Sequence, residues 1–449
     1  REPFWPISGS KANASNHERE SNQMFGRSSL AKVLDKWAKH GGDLDEFLSS
    51  GSDQPVHSKA DAIAICAALD AIRAEPKRAG KQVIGSPLHT LAAFFQQVET
   101  KEALEVLRQD GLPRLRTWVR DLLDGRDVEE HDVMFIMKIL AMYRQREDVD
   151  AIAQAARMPI DASGYMWSVI LSQFNGEHPY AADMIEALRD PLPTQFILVA
   201  YLDMANGLAI AKKLDRHPFD SQAGRKHLEA WLRDTNEQNY SYAHSATAAL
   251  PFIDPTRRED LLQAANGHPH SSVRMEAAWA RAKSGDPAGV DRLSELCLDP
   301  RYSHTAQQYL EELGHSAKIP EEAQRPDFQA VAVMANWLSH PNEFGRPPDT
   351  IELCDTRELF WPPTNDRRQL SLVRYTYNDG EGGEPHHGVG MVGSITFALA
   401  GEATADLSPE ATNGLHCCWE LEVNGDSRAP KKRTAKAGHE ILARHNDSF

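Results

Sequence analysis

The stretch that decides the fold is HSSVRMEAAWARAKSGDPAGVDRLSELCLDP, residues 270–300. Apolar and small residues recur every three to four positions on both sides of a Gly-Asp-Pro at 285–287. This spacing is typical of amphipathic helices, and Asp followed by Pro is typical of a helix start. The stretch therefore predicts two helices, Ser272–Ser284 and Val290–Leu298, joined by a tight turn.

The same pattern occurs once more upstream. An Asp-Pro at 254–255 precedes the Asp-Pro at 286–287 by 32 positions, and Leu261 and Leu293 follow them at the same offset. A fixed period of this length indicates stacked helical hairpins that bury one continuous core. Flanking helices are predicted at Tyr242–Leu250, Arg258–Ala265 and Ser303–Leu313.

Residues 240–315 resemble HEAT repeats, in the short variety found in phycobilisome-lyase-type proteins. The features that carry the resemblance are the Val-Arg pair at 273–274, the Ala-Ala pair at 277–278 and the Gly-Asp turn. The resemblance implies an α-solenoid and says little about function. An irregular all-α bundle is the alternative.

The helical pattern extends over residues 27–340. Further helices with apolar residues at helical spacing are predicted at Ala60–Ala74, His89–Val98, Leu115–Leu123, Val133–Tyr143, Val149–Ala156, Tyr165–Phe174, Tyr180–Leu188 and Gln195–Met204. Residues 1–26 are polar and contain Pro, Gly and a Ser/Asn-rich run. They are predicted to form an extended arm that docks through Phe4 and Trp5.

After residue 347 the pattern becomes that of a small α+β domain, 347–449. Strand-like alternation in Gln369–Tyr377 places Leu370 and Leu372 on one face and Val373, Tyr375 and Tyr377 on the other. A strand is also predicted over Val389–Leu399, and Thr350–Trp361 supplies one or two more.

Two helices are predicted in the rest of this domain. Ser408-Pro409 is a helix start, followed by a segment in which Leu415, Cys418 and Trp419 share a helical face. A strand over Leu415–Val423 is the alternative, and the last helix is predicted at Ala437–Arg444. The predicted fold class is thus mostly α, an α-solenoid of stacked helical hairpins followed by a small α+β domain.

Composition excludes several classes of protein. Of the 449 residues, 41% are hydrophobic and 25% are charged, which is typical of globular chains and not of disordered ones. No apolar run approaches the roughly 20 residues of a membrane helix. The formal net charge of −16 disfavours nucleic acid as a partner. The five cysteines show neither disulfide-framework nor paired zinc spacing, which favours a cytoplasmic location.

A His/Cys group in the small domain is the first candidate for chemistry. It consists of His386, His387, His416, Cys417 and Cys418. Imidazole and thiolate groups are zinc ligands, and a cysteine beside a histidine can act as a nucleophile. The spacing matches no known motif, so the competing interpretation is buried core cysteines and histidines on a solvent-exposed loop.

Two further patterns have structural interpretations. Residues 388–393 form a formal GxGxxG, but a strand pattern follows where a dinucleotide site requires a helix, which favours a glycine-rich strand entry or bulge. His268, His270 and His304 are interpreted as turn histidines that cap helix ends. The paired His-Glu motifs of the iron-binding HEAT hydroxylases are absent from the repeats.

Two surface segments are candidates for partner binding. Arg428, Lys431, Lys432 and Arg433 belong to a C-terminal segment, 427–449, with six basic and two acidic residues. Trp361 precedes a Pro-Pro pair, which predicts either docking inside the protein near the last solenoid helices or an exposed partner site.

The function predicted from these features is that of a scaffold or adaptor which binds another protein, with a basic surface favoured by the acidic charge. No cofactor is assigned, no membrane is involved and nucleic acid is disfavoured. An enzyme or metal-binding protein that uses the His/Cys group is the alternative. A nucleic-acid binder is the second alternative.

Overall fold

A computed structural model describes residues 30–42, 44, 55–74, 86–158, 160, 164–340, 343–378, 385–393, 397–400 and 407–446. The chain divides into two compact units, Arg1–Leu261 and Leu262–Phe449. The predicted fold class is confirmed, because packed helices make up most of the chain and a small α+β region follows them. The predicted arm, residues 1–26 with Phe4 and Trp5, lies outside the described residues.

The first unit is helical throughout its described residues except for short connections and one isolated bridge between Val56 and Val98. Its helices are α1 (Leu30–His40), α2 (Lys59–Ala74), α3 (Pro87–Ala93), α4 (Lys101–Val106), α5 (Leu112–Leu123), α6 (Glu130–Tyr143), α7 (Arg146–Ala155), α8 (Gly164–Ser172), α9 (Ala181–Arg189), α10 (Gln195–Ile210), α11 (Gln222–Arg233) and α12 (Tyr240–Ala249). Helix α13 (Pro255–Asn266) crosses the boundary between the units. Each helix predicted here is present within a few residues, whereas α1, α4 and α11 were not predicted.

Two rows of helices build most of this unit. In the first row α5 packs against α7, and α7 against α9. In the second row α3, α6, α8, α10 and α12 pack against one another in that order. Consecutive helices form hairpins that join the rows, such as α5 with α6 and α11 with α12. Within the second row, α6, α8 and α10 each have a helix of the same row on both sides.

The second unit begins with helices α14 (Ser271–Lys283), α15 (Pro287–Leu296), α16 (Pro300–Glu312) and α17 (Pro326–Leu338). The predicted Asp-Pro helix starts are confirmed: Asp286 Oδ1 accepts a hydrogen bond from the Ala288 amide at 3.0 Å. Helices α14 and α15 cross closely at Gly289. A Cβ at this position would lie 2.3 Å from the Ala282 amide nitrogen, which is too short a distance for any side chain. A glycine is thus required at this crossing.

A four-stranded antiparallel sheet follows, in the order β1-β2-β3-β4. Its strands are β1 (Thr350–Trp361), β2 (Asp366–Tyr377), β3 (His386–Val392) and β4 (Phe397–Ala400). The predicted strand over Val389–Leu399 is therefore wrong in extent, since β3 ends at Val392 and β4 pairs back onto it. Helices α18 (Pro409–Val423) and α19 (Ala435–Ala443) complete the unit.

The two faces of β2 are both buried, against different helices. Leu370 and Leu372 belong to a core that includes Cys417, Leu421 and Leu442 of the last two helices. The opposite face packs against α17 in a second core, which contains Val331, Met334, Leu338, Val373, Tyr375 and Tyr377. The predicted division of β2 into two faces is thus confirmed.

The domain division at residues 27–340 and 347–449 stays a prediction, while the two compact units meet at residues 261 and 262. Because α17 covers one face of the sheet, α14–α17 cluster with the sheet rather than with the helices before them.

The helix start at Ser408 is confirmed, since its hydroxyl accepts a hydrogen bond from the Ala411 amide at 3.3 Å. The alternative strand over Leu415–Val423 is not formed. The face of α18 that enters the core of the sheet carries Cys417 and Leu421 rather than Leu415. Among the described residues, no helix has the length and apolarity to cross a membrane.

Candidate functional site

The outer faces of α8, α10 and α12 are almost without charge. These helices contain 9, 16 and 10 residues, and Asp203 is their one Asp, Glu, Lys or Arg, although 25% of the chain is charged. Two large side chains are nevertheless exposed there, Tyr165 at 58% and Phe196 at 55%. In contrast, α7, α9 and α11 carry ion pairs on their surfaces, such as that between Arg146 and Asp150 on α7. An uncharged face with exposed aromatic side chains is typical of the core of a protein interface.

Aromatic residues occupy the first turns of these three helices. Tyr165 lies at the start of α8, Phe196 at the start of α10 and Tyr242 at the start of α12. The rings of Phe196 and Tyr242 meet edge to face, with centroids 6.0 Å apart at 73°. Tyr242 also contacts Trp231 of α11, at 6.2 Å. We call Tyr165, Phe196 and Tyr242 the aromatic ridge.

A groove of about 590 Å³ opens between the same three helices, nearer their carboxyl ends. Its volume lies within the range of ligand and peptide-side-chain sites. Apolar side chains form most of the wall, namely Leu171, Phe174, Met204, Leu208, Ile210 and Ala248. The polar residues in the wall include Asn175, Asp203, His244 and Ser245. Gly207 is part of the wall, and no atom lies within 4 Å of where its Cβ would be.

Asp203 is the acidic group of α10 in this groove. Its side chain reaches solvent through the mouth, yet the walls surround it with protein. This desolvation raises the pKa of Asp203 to about 6, while a hydrogen bond with Ser245 and the nearby His244 act in the opposite direction. The attraction between a carboxylate and a cationic partner is stronger in a partly dehydrated cleft than in bulk water.

A buried amide network holds the groove in shape. Asn206 Nδ2 donates to the Ser245 carbonyl at 2.9 Å, which ties α10 to α12. The Asn206 Oδ1 atom accepts from His217 Nε2 at 3.1 Å, and the Phe219 amide donates to His217 Nδ1 at 3.3 Å. Burial lowers the pKa of His217 to about 4, so this imidazole is neutral at pH 7. The backbone around Asp203 is therefore positioned by neutral hydrogen bonds.

The predicted His/Cys group is not assembled by the fold. His386 and His387 lie in β3 rather than on a loop, and the His387 ring contacts Thr376 Oγ1 at 3.0 Å. His416, Cys417 and Cys418 lie in α18 and are buried. Burial raises the pKa of both thiols, so neither is an activated nucleophile at neutral pH. The five side chains do not form a group of converging ligand atoms among the described residues.

Of the predicted partner-binding residues, Trp361 lies inside the protein, and Arg428 is exposed but bound to the β1–β2 turn. Trp361 is fully buried and its Nε1 donates to Glu420 Oε2 at 2.7 Å, so the indole offers no surface to a partner. The alternative of docking inside the protein is confirmed by its place in the core beneath Trp337. Arg428 donates to Asn365 Oδ1 and to the Pro362 carbonyl, both at 2.8 Å. Both side chains therefore hold the β1–β2 turn in place.

The other predicted positions have ordinary structural roles. Lys431, Lys432 and Arg433 are exposed before α19, and their binding role stays a prediction. Residues 388–393 form most of β3 and its end, as the strand interpretation predicted; a Cβ on Gly388 would lie 2.3 Å from the Tyr375 ring.

The turn histidines divide into two cases. His268 Nδ1 accepts from the His270 amide at 3.1 Å, so both histidines lie in the turn before α14 as predicted, but the N-cap residue His270 makes no side-chain capping bond to α14. His304 lies inside α16 and is exposed, so the turn interpretation is wrong there.

One set of potential metal ligands was missed from the sequence. Ligand atoms of His89, His131 and Asp132 all lie within 4.8 Å of one another. His89 precedes the pair by about 40 positions, so no short motif connects them. Asp203 was also missed, although one carboxylate in a long apolar helix is a signal that the sequence displays.

Residues 226–314 match the family model of HEAT repeats. The comparison therefore supports HEAT repeats within this segment. The matched segment contains the Val-Arg pair, the Ala-Ala pair and the Gly-Asp turn that carried the resemblance. No curated protein matches the chain at a significant level.

Proposed function

We propose that this HEAT-repeat chain is a protein-interaction scaffold that binds a basic, partly apolar segment of another protein on the outer face of α8, α10 and α12. The observation that carries the proposal is the combination of the aromatic ridge with one partly dehydrated carboxylate. Exposed rings supply apolar contact area at low entropic cost, and Asp203 selects a cation. The net charge of −16 adds attraction at long range.

The geometry of α10 restricts the partner. Phe196 and Asp203 are seven residues apart on one helix, so they share a face and are separated by about 10 Å along the axis. A partner helix would present an apolar side chain and a Lys or Arg at positions i and i+7. An extended partner would present them about three residues apart, because a strand rises about 3.3 Å per residue.

A phycobilisome-lyase-type repeat would use its surface in the same way. The exposed Lys431, Lys432 and Arg433 could add a second contact with an anionic surface.

The test selects peptides on the full-length chain from a random 15-residue display library. Selected peptides are then measured by fluorescence anisotropy against the wild-type chain and two variants, F196D and D203N. A charge-assisted hydrogen bond is worth about 1.5–3 kcal/mol, so D203N should weaken binding by about 10- to 100-fold. Introducing a carboxylate into the ridge with F196D should abolish binding.

Matched controls are I63D and D150N. Ile63 is 51% exposed on α2, and Asp150 is an exposed carboxylate on α7, so these variants repeat both chemical changes away from the proposed face. Both controls should bind as the wild type does. Selected peptides without Lys or Arg, or equal affinities for D203N and D150N, would refute the proposal.

A further inference from the structure

His89, His131 and Asp132 bring two imidazoles and one carboxylate together where α3 meets α6. Their ligand atoms lie within 4.8 Å of one another, and the described residues contain no other such group of three. His89 lies in α3, whereas His131 and Asp132 occupy the first turn of α6. This place is separate from the groove, which opens between α8, α10 and α12.

Ser86 connects the two helix starts. As the N-cap of α3, its Oγ accepts hydrogen bonds from the Leu88 and His89 amides, at 3.2 and 3.3 Å. The same hydroxyl donates to Asp132 Oδ2. One serine therefore caps the helix that carries His89 and holds the carboxylate of the other helix beside it. Metal-binding carboxylates are commonly oriented by a hydrogen bond of this kind.

The ring of His89 is held by stacking. Phe135, one turn after His131 on α6, stacks on it with centroids 3.9 Å apart at 25°. His131 is exposed, and its ring lies 6.0 Å from that of His89. An ion could therefore enter from solvent on the His131 side, while His89 and Asp132 are already positioned.

Asp132 is a buried carboxylate, with 6% of its surface exposed. Among the described residues, no Lys or Arg forms an ion pair with it. Lys138, two turns along α6, instead donates to Gln96 Oε1 at 2.8 Å. A buried carboxylate is stabilised by a paired cation or by a coordinated metal ion.

We propose that His89, His131 and Asp132 form a site for a divalent transition-metal ion, with Zn²⁺ as the defining probe. Two nitrogens and one oxygen suit Zn²⁺ or Fe²⁺, whereas Mg²⁺ and Ca²⁺ prefer oxygen ligands alone. Because the ligand atoms lie within 4.8 Å of one another, an equidistant ion would lie no more than about 2.8 Å from each, whereas Zn–N bonds are about 2.0–2.1 Å. Binding therefore requires the side chains to move inward by less than about 1 Å. Three protein ligands leave at least one coordination position open.

The test is isothermal titration of the metal-stripped full-length chain with Zn²⁺, and then with Mg²⁺. The variants are H131A, S86A and the control H304A, which removes an exposed helical histidine of the second unit. H131A should weaken Zn²⁺ binding at this site by at least 10-fold. S86A, which removes the orienting hydroxyl, should weaken it by about 10- to 100-fold.

A second readout separates loss of ligands from loss of folding. Co²⁺ bound to the wild type should give visible d–d absorption, which H131A should lose while its far-ultraviolet circular dichroism stays unchanged. H304A should retain both the affinity and the spectrum. Equal Zn²⁺ affinity for H131A and H304A, equal binding of Mg²⁺ and Zn²⁺, or no detectable binding of Zn²⁺ to the wild type would overturn the assignment.

Discussion

Replacement of Gly438 by alanine tests how closely α18 and α19 are packed. A Cβ on Gly438 would lie 2.1 Å from the Gly414 carbonyl oxygen and 2.2 Å from its carbonyl carbon. Both atoms are backbone, so no side-chain rotation relieves the overlap and the helices must move apart by about 1 Å. Such overpacking costs about 3 kcal/mol at the upper end of the usual range. Alanine regains about 1 kcal/mol of helix propensity, which leaves a net loss of about 2 kcal/mol.

The matched control is Gly207, inside α10. No atom lies within 4 Å of the position that its Cβ would take, so only the propensity gain of about 0.5–1 kcal/mol remains. Native-state hydrogen exchange, read by mass spectrometry, reports each helix separately. G438A should lower protection in α18 and α19 by about 30-fold, and G207A should raise it in α10. Protection in α18 and α19 that is unchanged or raised in G438A would refute the close packing.

Four further outcomes are expected. Burial lowers the pKa of His217 from 6.5 to about 4, so below pH 6.5 the unfolded chain takes up a proton that the folded chain does not. The stability of the fold is therefore highest above pH 6.5 and falls as the pH approaches 4. Denaturant titration should show a loss of about 2.5 kcal/mol at pH 4.5 that H217Q does not share. W361F should cost about 1–3 kcal/mol, because the Glu420 carboxylate loses its indole donor; stability equal to wild type would contradict this hydrogen bond. Cys354 should react with a thiol reagent before the other four cysteines, which are buried, and equal rates would contradict that burial. Peptide binding on the proposed face should weaken from pH 7.5 to pH 5 as Asp203 gains a proton, and D203N should lack this dependence.

Features set by local sequence were predicted well. The helices around the Asp-Pro starts, the Ser408 cap and the two faces of β2 each depend on residues close together in the chain. Hydrophobic periodicity and capping are properties of such short stretches, so one sequence is sufficient to read them. The helices predicted after the Asp-Pro pairs at 254–255, 286–287 and 299–300 and after the Ser-Pro pair at 408–409 begin within three residues of the observed starts.

Errors arose where a long-range contact decides the role of a residue. The sequence left Trp361 between an exposed and an internal position, and the fold places it in the core, where its indole donates to Glu420. Arg428 stays exposed, but it donates to Asn365 in the β1–β2 turn. The vicinal cysteines of α18 suggested chemistry, and burial among apolar side chains makes one of them, Cys417, part of the core of the sheet instead.

The amino-acid sequence by itself determined the helical hairpins, the HEAT-like repeat and the two-sided strand, because periodicity and helix capping act within one or two turns of chain. Only the tertiary structure decided which surfaces are exposed and which side chains from distant parts of the chain come together. The aromatic ridge exists because three separate helices pack side by side, and His89 meets Asp132 because Ser86 joins the starts of α3 and α6. Contacts between residues tens of positions apart depend on the packing of whole elements, and no local pattern records them.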